Sequence, residues 1–339
     1  MAIITVKNLH KHFHVRTQIH GRFASLRTFF SRQYNLVKAV DDISFTINRG
    51  ELVGYLGPNG AGKSTTIKML TGLLVPTSGA LQVNNFVPWQ NRQQYVARIG
   101  AVFGQRTTLW WDLPVQHSLS LLQHIYQIPD DQYHHNLNTF TQLLELSPFL
   151  DTPVRSLSLG QRMRADLCAA LLHNPDILFL DEPTIGLDVV AKERIRAFIK
   201  HINQERQTSI ILTTHDMEDV QMLCQRVMII DHGQLLYDGD LDTLQSQFGR
   251  ARQLIVDFAQ PYPNVPIDGA QLLSYHDNRA TYQFDRQHLT ASDLIGRLSA
   301  QYQLRDLTVR EPHIETTIRR IYEEKLLSQG SNTQKNIPK

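Results

Sequence analysis

The sequence predicts an α/β fold built on an open sheet, followed by a small α+β domain. Three observations carry that expectation. The apolar segment ELVGYLG runs straight into a glycine-rich loop and then into a helical pattern, TTIKMLTGLL. Further along, the short apolar runs DILFLDEP and SIILTTH alternate with amphipathic helical stretches, as strands do in α/β folds. From about residue 250 the pattern shifts to short strands before a single helix.

Taken in order, residues 2–13 alternate as a strand, and VDDISFTI forms a second that stops at the turn Asn48-Arg49-Gly50. Between them lies a basic, aromatic insertion at about 16–37. There Phe23, Leu26, Phe29 and Phe30 fall at helix-like spacing among Arg22, Arg27 and Arg32. It reads either as a helix on a lipid surface or as one packed on protein. The buried strand ELVGYLG and helix TTIKMLTGLL follow, and Pro76-Thr77-Ser78-Gly79 reads as a turn. Residues 115–150 carry helical periodicity. Leu119, Leu122, Ile125 and Tyr126 mark one face, and Leu137, Phe140, Leu143 and Leu144 another.

Residues 160–173 form a further helix closed by Asn174-Pro175. The strand DILFLDEP, helix ERIRAFIKHINQ, strand SIILTTH and helix MEDVQMLC come next. RVMIID and QLLYDG make a hairpin around His232-Gly233. The small domain holds the strands QLIVDF, LLSYH and ATYQF, a helix near 291–302, the strand LRDLTV and the helix ETTIRRIYEEKLL. The polar tail, 328–339, is expected to be disordered.

Bulk properties narrow the function classes. The chain has 339 residues, 42 % hydrophobic and 19 % charged, with a formal net charge of +2. Nothing in that balance calls for nucleic acid or an anionic surface. The two cysteines, Cys168 and Cys224, are far apart in apolar surroundings and are expected to be buried thiols, not a disulfide or metal framework. No run of about 18 apolar residues could span a bilayer, and the start lacks the pattern of a secretion signal.

The chemistry concentrates in three motifs. Gly57-Pro58-Asn59-Gly60-Ala61-Gly62-Lys63-Ser64 matches G-x-x-x-x-G-K-[ST] between a strand and a helix, with Thr65 next. Such glycines let backbone N–H groups curl around phosphate oxygens at the positive end of a helix. Lys63 is expected to reach the outer phosphates and the Ser64 hydroxyl to ligate Mg²⁺. The run ILFLDEP carries Asp181 to the carboxyl end of a strand, where Asp181 would hold Mg²⁺ through water and Glu182 would polarise the attacking water. Leu157-Ser158-Leu159-Gly160-Gln161 opens a helix with a hydroxyl and free N–H groups that suit an anion.

In this order the motifs resemble the ATP-binding cassette family over residues 2–245. The resemblance implies a phosphate-loop core with an antiparallel β subdomain and an α-helical subdomain at about 90–172, the whole spanning 1–248. A small α+β accessory domain at 249–327 would follow. In that family the serine-glycine turn of one subunit covers the γ-phosphate held by another, a role that falls here on Ser158, Gly160 and Gln161. Gln105 resembles the glutamine that touches Mg²⁺ and the attacking water. Gly186-Leu187-Asp188 resembles the segment that crosses the dimer interface, and His215 the switch histidine on the γ-phosphate. Phe13 matches the aromatic that stacks on adenine, with Tyr34 a competing candidate. Leu159 departs from the family, which usually has glycine there. The catalytic set implied is Glu182, His215 and Gln105, and the metal set Ser64, Gln105 and Asp181.

The phrases LWWDLP, LSLGQRMRADL and DEPTIGLDVVAKERIR resemble the subgroup whose ATPase pairs with permeases of the ABC-2 exporter type. The implied function is an ATP-hydrolysing subunit, using ATP and Mg²⁺, that dimerises with a second nucleotide-binding domain. It would sit at the cytoplasmic face of the cell membrane through separate permease chains, without nucleic acid. Trp110 and Trp111 fall where cassette proteins meet the permease, or else are core residues. A soluble cassette ATPase acting on ribosomes or nucleic acid is the alternative. An inactive nucleotide-binding module is disfavoured, because Lys63, Asp181, Glu182 and His215 are all present.

Overall fold

The computed structural model describes residues 1–16, 34–104, 106–248, 251–285, 288–310, 317–319 and 321. Gln105, most of the 16–37 insertion, most of the segment ETTIRRIYEEKLL and the tail lie outside the described residues. The chain divides into two compact units, Met1–Gly239 and Asp240–Lys339.

The first unit holds two sheets. Strands β1 (Ala2–Arg16), β2 (Tyr34–Asn48) and β4 (Ser78–Val83) form an antiparallel sheet with β1 in the centre. A six-stranded sheet has the order β5-β6-β7-β3-β8-β9, from β3 (Leu52–Leu56), β5 (Ile99–Phe103), β6 (Ile177–Asp181), β7 (Ser209–Thr213), β8 (Arg226–Asp231) and β9 (Gln234–Asp240). Its first five strands run parallel. Strand β7 is buried at every position and β6 at all but its last, so both read as continuous apolar runs. The β8–β9 turn places His232 and Gly233 at φ 46° and 75°, the two left-handed residues of a tight hairpin.

Apolar faces of both sheets share one core with helix α1 (Lys63–Leu70): Ile4, Leu9, Ile43, Ile47, Val53, Ile67, Phe179 and Met228 are all buried in it. Helix α2 (Arg92–Val96) precedes β5. Helices α3 (Val115–Ile125), α4 (Asp130–Leu143) and α5 (Leu159–Leu171) build a helical segment between β5 and β6. Helices α6 (Val189–Arg206) and α7 (Met217–Leu223) flank β7 in the chain. Among the described residues no helix is long and apolar enough to cross a membrane.

The second unit begins with α8 (Leu241–Phe248). It continues with the antiparallel sheet β11-β12-β10-β13, from β10 (Ala251–Phe258), β11 (Gln271–His276), β12 (Arg279–Asp285) and β13 (Leu304–Arg310). Helix α9 (Ala291–Gln301) packs Leu294 and Leu298 into a separate core with Leu254, Phe258 and Tyr282.

Several elements differ from the sequence reading. The β1–β2 ladder runs on to Arg16 opposite Tyr34. Tyr34, Leu36 and Val37 there are about half exposed, so backbone pairing, not a buried face, carries the extension. Ser78 and Gly79 belong to β4, not to a turn. Helix α1 stops at Leu70, four residues early, where the Thr71 hydroxyl donates back to the Ile67 carbonyl. Ile125 is exposed, and Ile128 takes the buried place beyond the helix end. Because β5 pairs with β6, residues 99–103 belong to the parallel sheet, and the helical segment starts after them. Trp110 and Trp111 are 39 % and 50 % exposed, which overturns the core reading of them. Cys168 and Cys224 are free and buried. Burial pushes the Cys168 thiol up to about 12.

Candidate nucleotide-binding site

Strands β3, β6 and β7 point their carboxyl ends the same way, and the site residues leave from those ends. The loop after β3 leads through Gly62, at φ 110°, into α1. A Cβ on Gly62 would lie 2.4 Å from the Ala39 carbonyl oxygen, so only glycine lets the loop sit this close to β2. The register of β1 and β2 skips Ala39: Lys11 faces Val40 and His12 faces Lys38. That bulge exposes the Ala39 carbonyl to the loop. On its other flank the loop is held where Gly233 N–H donates to the Ala61 carbonyl, 2.9 Å. Pro58, Asn59 and Gly60 are exposed, while Ala61, Gly62 and Lys63 are buried.

Lys63 Nζ donates to the Gly57 and Pro58 carbonyls at 2.6 and 3.1 Å, which places its ammonium within the loop. Burial lowers its pKa, and the carboxylates of Glu182 and Asp181 pull the other way. The exposed Ser64 hydroxyl donates to Asp181 Oδ1 across 3.5 Å. Thr213, at the end of β7, donates its hydroxyl to the same carboxylate oxygen and fixes it at the mouth.

Glu182 sits at φ 55°, a left-handed turn that costs a non-glycine residue about 1–2 kcal/mol. Its N–H donates to the Thr213 carbonyl at 2.9 Å, which holds the turn. The turn brings Glu182 Oε1 to 3.3 Å from His215 Nδ1. Beneath this pair lies a buried hub. Asp219 accepts from Thr184, from Thr214 at 3.1 Å and from Arg196 Nε at 2.6 Å. It thereby ties the residues after Glu182 to the residue before His215. Sequence reasoning missed Thr213 and Asp219; the only signal available was a polar residue ending an apolar strand and an acid in the first turn of a helix.

Gly104 N–H donates to the Asp181 carbonyl, 2.8 Å, so the residue before Gln105 lies against the acidic strand end. Phe13 is half-buried on β1 opposite Val37, with Lys11 Nζ 5.1 Å above its ring. It therefore lies two residues along β2 from the Ala39 carbonyl that props the loop. Tyr34 pairs with Arg16, farther out on the same ladder.

Ser158 is exposed and caps α5. Its Oγ accepts from Gln161 N–H at 3.2 Å, and its N–H donates to Gln161 Oε1 at 2.9 Å, a reciprocal capping box. The hydroxyl proton is left to donate outward. Leu159 packs beside Gly186, and Gly160 lies beside Leu187 and Ala191, so this turn and the segment 186–191 form one surface. Asp188 caps α6 through Ala191 N–H, and the following Val189 and Val190 are 70 % and 63 % exposed.

Comparison with known proteins finds relatives of this chain. Residues 40–185 match the family model described as ABC transporter. The chain is 34 % identical over 215 residues to the ABC transporter ATP-binding protein NatA of Bacillus subtilis (strain 168), covering 63 % of this chain and 87 % of that one. It is 33 % identical over 260 residues to "Probable multidrug ABC transporter ATP-binding protein YbhF" of Escherichia coli (strain K12), covering 76 % of this chain but 42 % of that longer protein. A solved dimeric bacterial ABC transporter cassette superposes with a TM-score of 0.59 at 25 % identity, over 70 % of this chain and 98 % of that one.

Proposed function

The chain belongs to the ATP-binding cassette transporter family as an ATP-binding, ATP-hydrolysing subunit, and from that premise we propose that two copies sandwich ATP to power a separate membrane permease in the direction of export. The observation that carries this reading is that both halves of such a sandwich are open on the monomer. The phosphate loop is exposed at Pro58, Asn59 and Gly60, and the capping turn is exposed at Ser158. The bare valines Val189 and Val190 beside that turn suit an interface between copies.

In this mechanism the triphosphate lies against the loop 57–62, the start of α1 and Lys63, with Thr65 behind Ser64 in the first turn. Phe13 stacks on the adenine. The Ser64 hydroxyl and Asp181 carboxylate, hard oxygen donors 3.5 Å apart at the mouth, suit Mg²⁺. When bound, that ion would neutralise charge on the phosphates. Gln105 would join the metal set. Glu182 orients the attacking water and takes its proton, and His215 holds the Glu182 carboxylate in place. Ser158, Gly160 and Gln161 of the second copy donate to the outer phosphate, and closure of the pair drives the permease.

The exposed Trp110 and Trp111, with Arg162 stacked 5.4 Å over Trp111, offer a docking surface for the permease at the cytoplasmic face of the membrane. What supports export is the set of phrases that resemble the ABC-2 exporter subgroup.

The test uses Glu182→Gln in the full chain. It should retain ATP binding, hydrolyse about 10²–10⁴-fold more slowly, and elute as a dimer with Mg-ATP. Adding Ser158→Arg should return it to monomer. Hydrolysis by Glu182→Gln at the normal rate, or a dimer indifferent to Ser158→Arg, sinks the reading. Purification of the full chain in mild detergent should bring down a polytopic permease; ribosomes in its place would overturn the transport assignment.

A further inference from the structure

The root of the β1–β2 hairpin carries a cluster that the nucleotide chemistry does not use. His10 and His12, two residues apart on β1, turn to one side of the strand, and Asp41 on β2 faces both. His10 Nδ1 lies 3.1 Å from Asp41 Oδ1 and also accepts from Asp42 N–H at 3.2 Å, a bond that an ion there would displace. His12 Nε2 lies 3.6 Å from the same Asp41 oxygen. One donor atom from each of the three residues lies within 4.8 Å of the other two. The imidazole centroids are 5.7 Å apart at 74°, so the rings converge on the carboxylate without stacking.

His12 Nε2 is buried and has no hydrogen-bond partner. A buried ring nitrogen left without a partner is costly. Lys38 Nζ occupies the other carboxylate oxygen, Oδ2, at 3.1 Å, which leaves Oδ1 facing the two imidazoles. Ligands about 2.0–2.1 Å from a tetrahedral Zn²⁺ stand about 3.4 Å apart. The 3.1 and 3.6 Å spacings bracket that edge length. Two imidazoles and a carboxylate favour a borderline first-row divalent ion over Mg²⁺ or Ca²⁺. Three protein ligands leave one position for water.

We propose that His10, His12 and Asp41 bind one divalent transition-metal ion of the Zn²⁺ class, which staples β1 to β2 beside the phosphate loop. The location gives the staple a consequence. Asp41 N–H donates to the Gly233 carbonyl at 2.8 Å, and Gly233 N–H donates to Ala61 in the loop. Ala39, two residues before Asp41, is the residue whose carbonyl lies against Gly62. Phe13 follows His12 directly. A bound ion fixes the segment from which both the loop and the adenine-side aromatic are supported.

The test is a Zn²⁺ titration of the untagged, chelator-stripped full chain against a chromophoric competitor, without nucleotide. The wild type should take up one equivalent at micromolar affinity or tighter, and its thermal transition should rise. Co²⁺ should give the intense visible bands of a tetrahedral site. His12→Gln and Asp41→Asn should each weaken uptake by at least about tenfold, whereas His14→Gln, farther along the same strand, should not. Far-ultraviolet circular dichroism of the variants serves as the folding control. No stoichiometric uptake by the wild type overturns the proposal, as does uptake by the two variants equal to the wild type's. Neither result bears on the ATPase reading.

Discussion

At Gly62 a single methyl group separates a working loop from a blocked one. An added Cβ meets the Ala39 carbonyl at 2.4 Å, and φ 110° is itself strained for any L side chain. At Gly60, φ 83°, the same Cβ meets nothing within 4 Å. Gly62→Ala should therefore weaken ATP binding at least about tenfold more than Gly60→Ala, since every 1.4 kcal/mol is a factor of about ten. Equilibrium binding of a fluorescent ATP analogue reads this, and equal losses at the two positions would refute the packing argument. The loop itself was legible in the sequence, because a strand, four fixed residues within eight and a helix specify it locally. Its supports were not. The Ala39 carbonyl reaches Gly62 from 23 residues away (62 − 39), and the Gly233 N–H that holds Ala61 from 172 (233 − 61). No local pattern encodes such contacts.

Elements were read well where burial wrote a period into the sequence and poorly where it did not. Strand β7 is buried throughout and β6 at all but Asp181, and both stand within the segments their apolar runs marked. The outer β1–β2 ladder carries exposed side chains, so its length left no trace in alternation. The end of α5 offers a prediction at this scale. His173, two residues past the helix, stacks on Tyr126 at 4.1 Å and 7°, and its Nε2 lies 3.0 Å from the Ile99 carbonyl. Its Nδ1 is buried without a partner, so a second proton there has no acceptor.

Burial pushes the His173 pKa from 6.5 down to about 4, only partly opposed by the Ile99 carbonyl. The folded chain refuses a proton that the unfolded chain accepts. This contribution to stability is whole above about pH 6.5 and is lost as pH falls toward 4. Between pH 7.5 and 5 the loss should be about 2 kcal/mol at most. Urea unfolding of wild type and His173→Gln at both pH values isolates it, because the glutamine cannot titrate. An identical pH dependence in the two proteins would remove His173 from the account.

Among the described residues each compact unit holds a core of its own. Ile4, Ile43, Ile67 and Phe179 belong to the first, and Leu254, Tyr282 and Leu298 to the second. The sequence marked the change of style near residue 250, whereas the compact units part between Gly239 and Asp240. Helix α8 lies between those points. Gly239 stands two residues before it and Gly249 directly after it, so glycine punctuates both ends of the helix and composition alone did not choose between them. Separate cores predict separate cooperative transitions in scanning calorimetry of the full chain. Every residue proposed for the nucleotide site lies before residue 240, so Mg-ATP should raise one transition and leave the other in place. With Glu182→Gln holding the nucleotide at 100 times its Kd, the bound unit gains about 2.7 kcal/mol. At about 2–4 °C per kcal/mol that is a readily measured shift. A single transition that moves as one with ATP would mean that the second core is coupled to the first, and the proposed division of the chain would have to be abandoned.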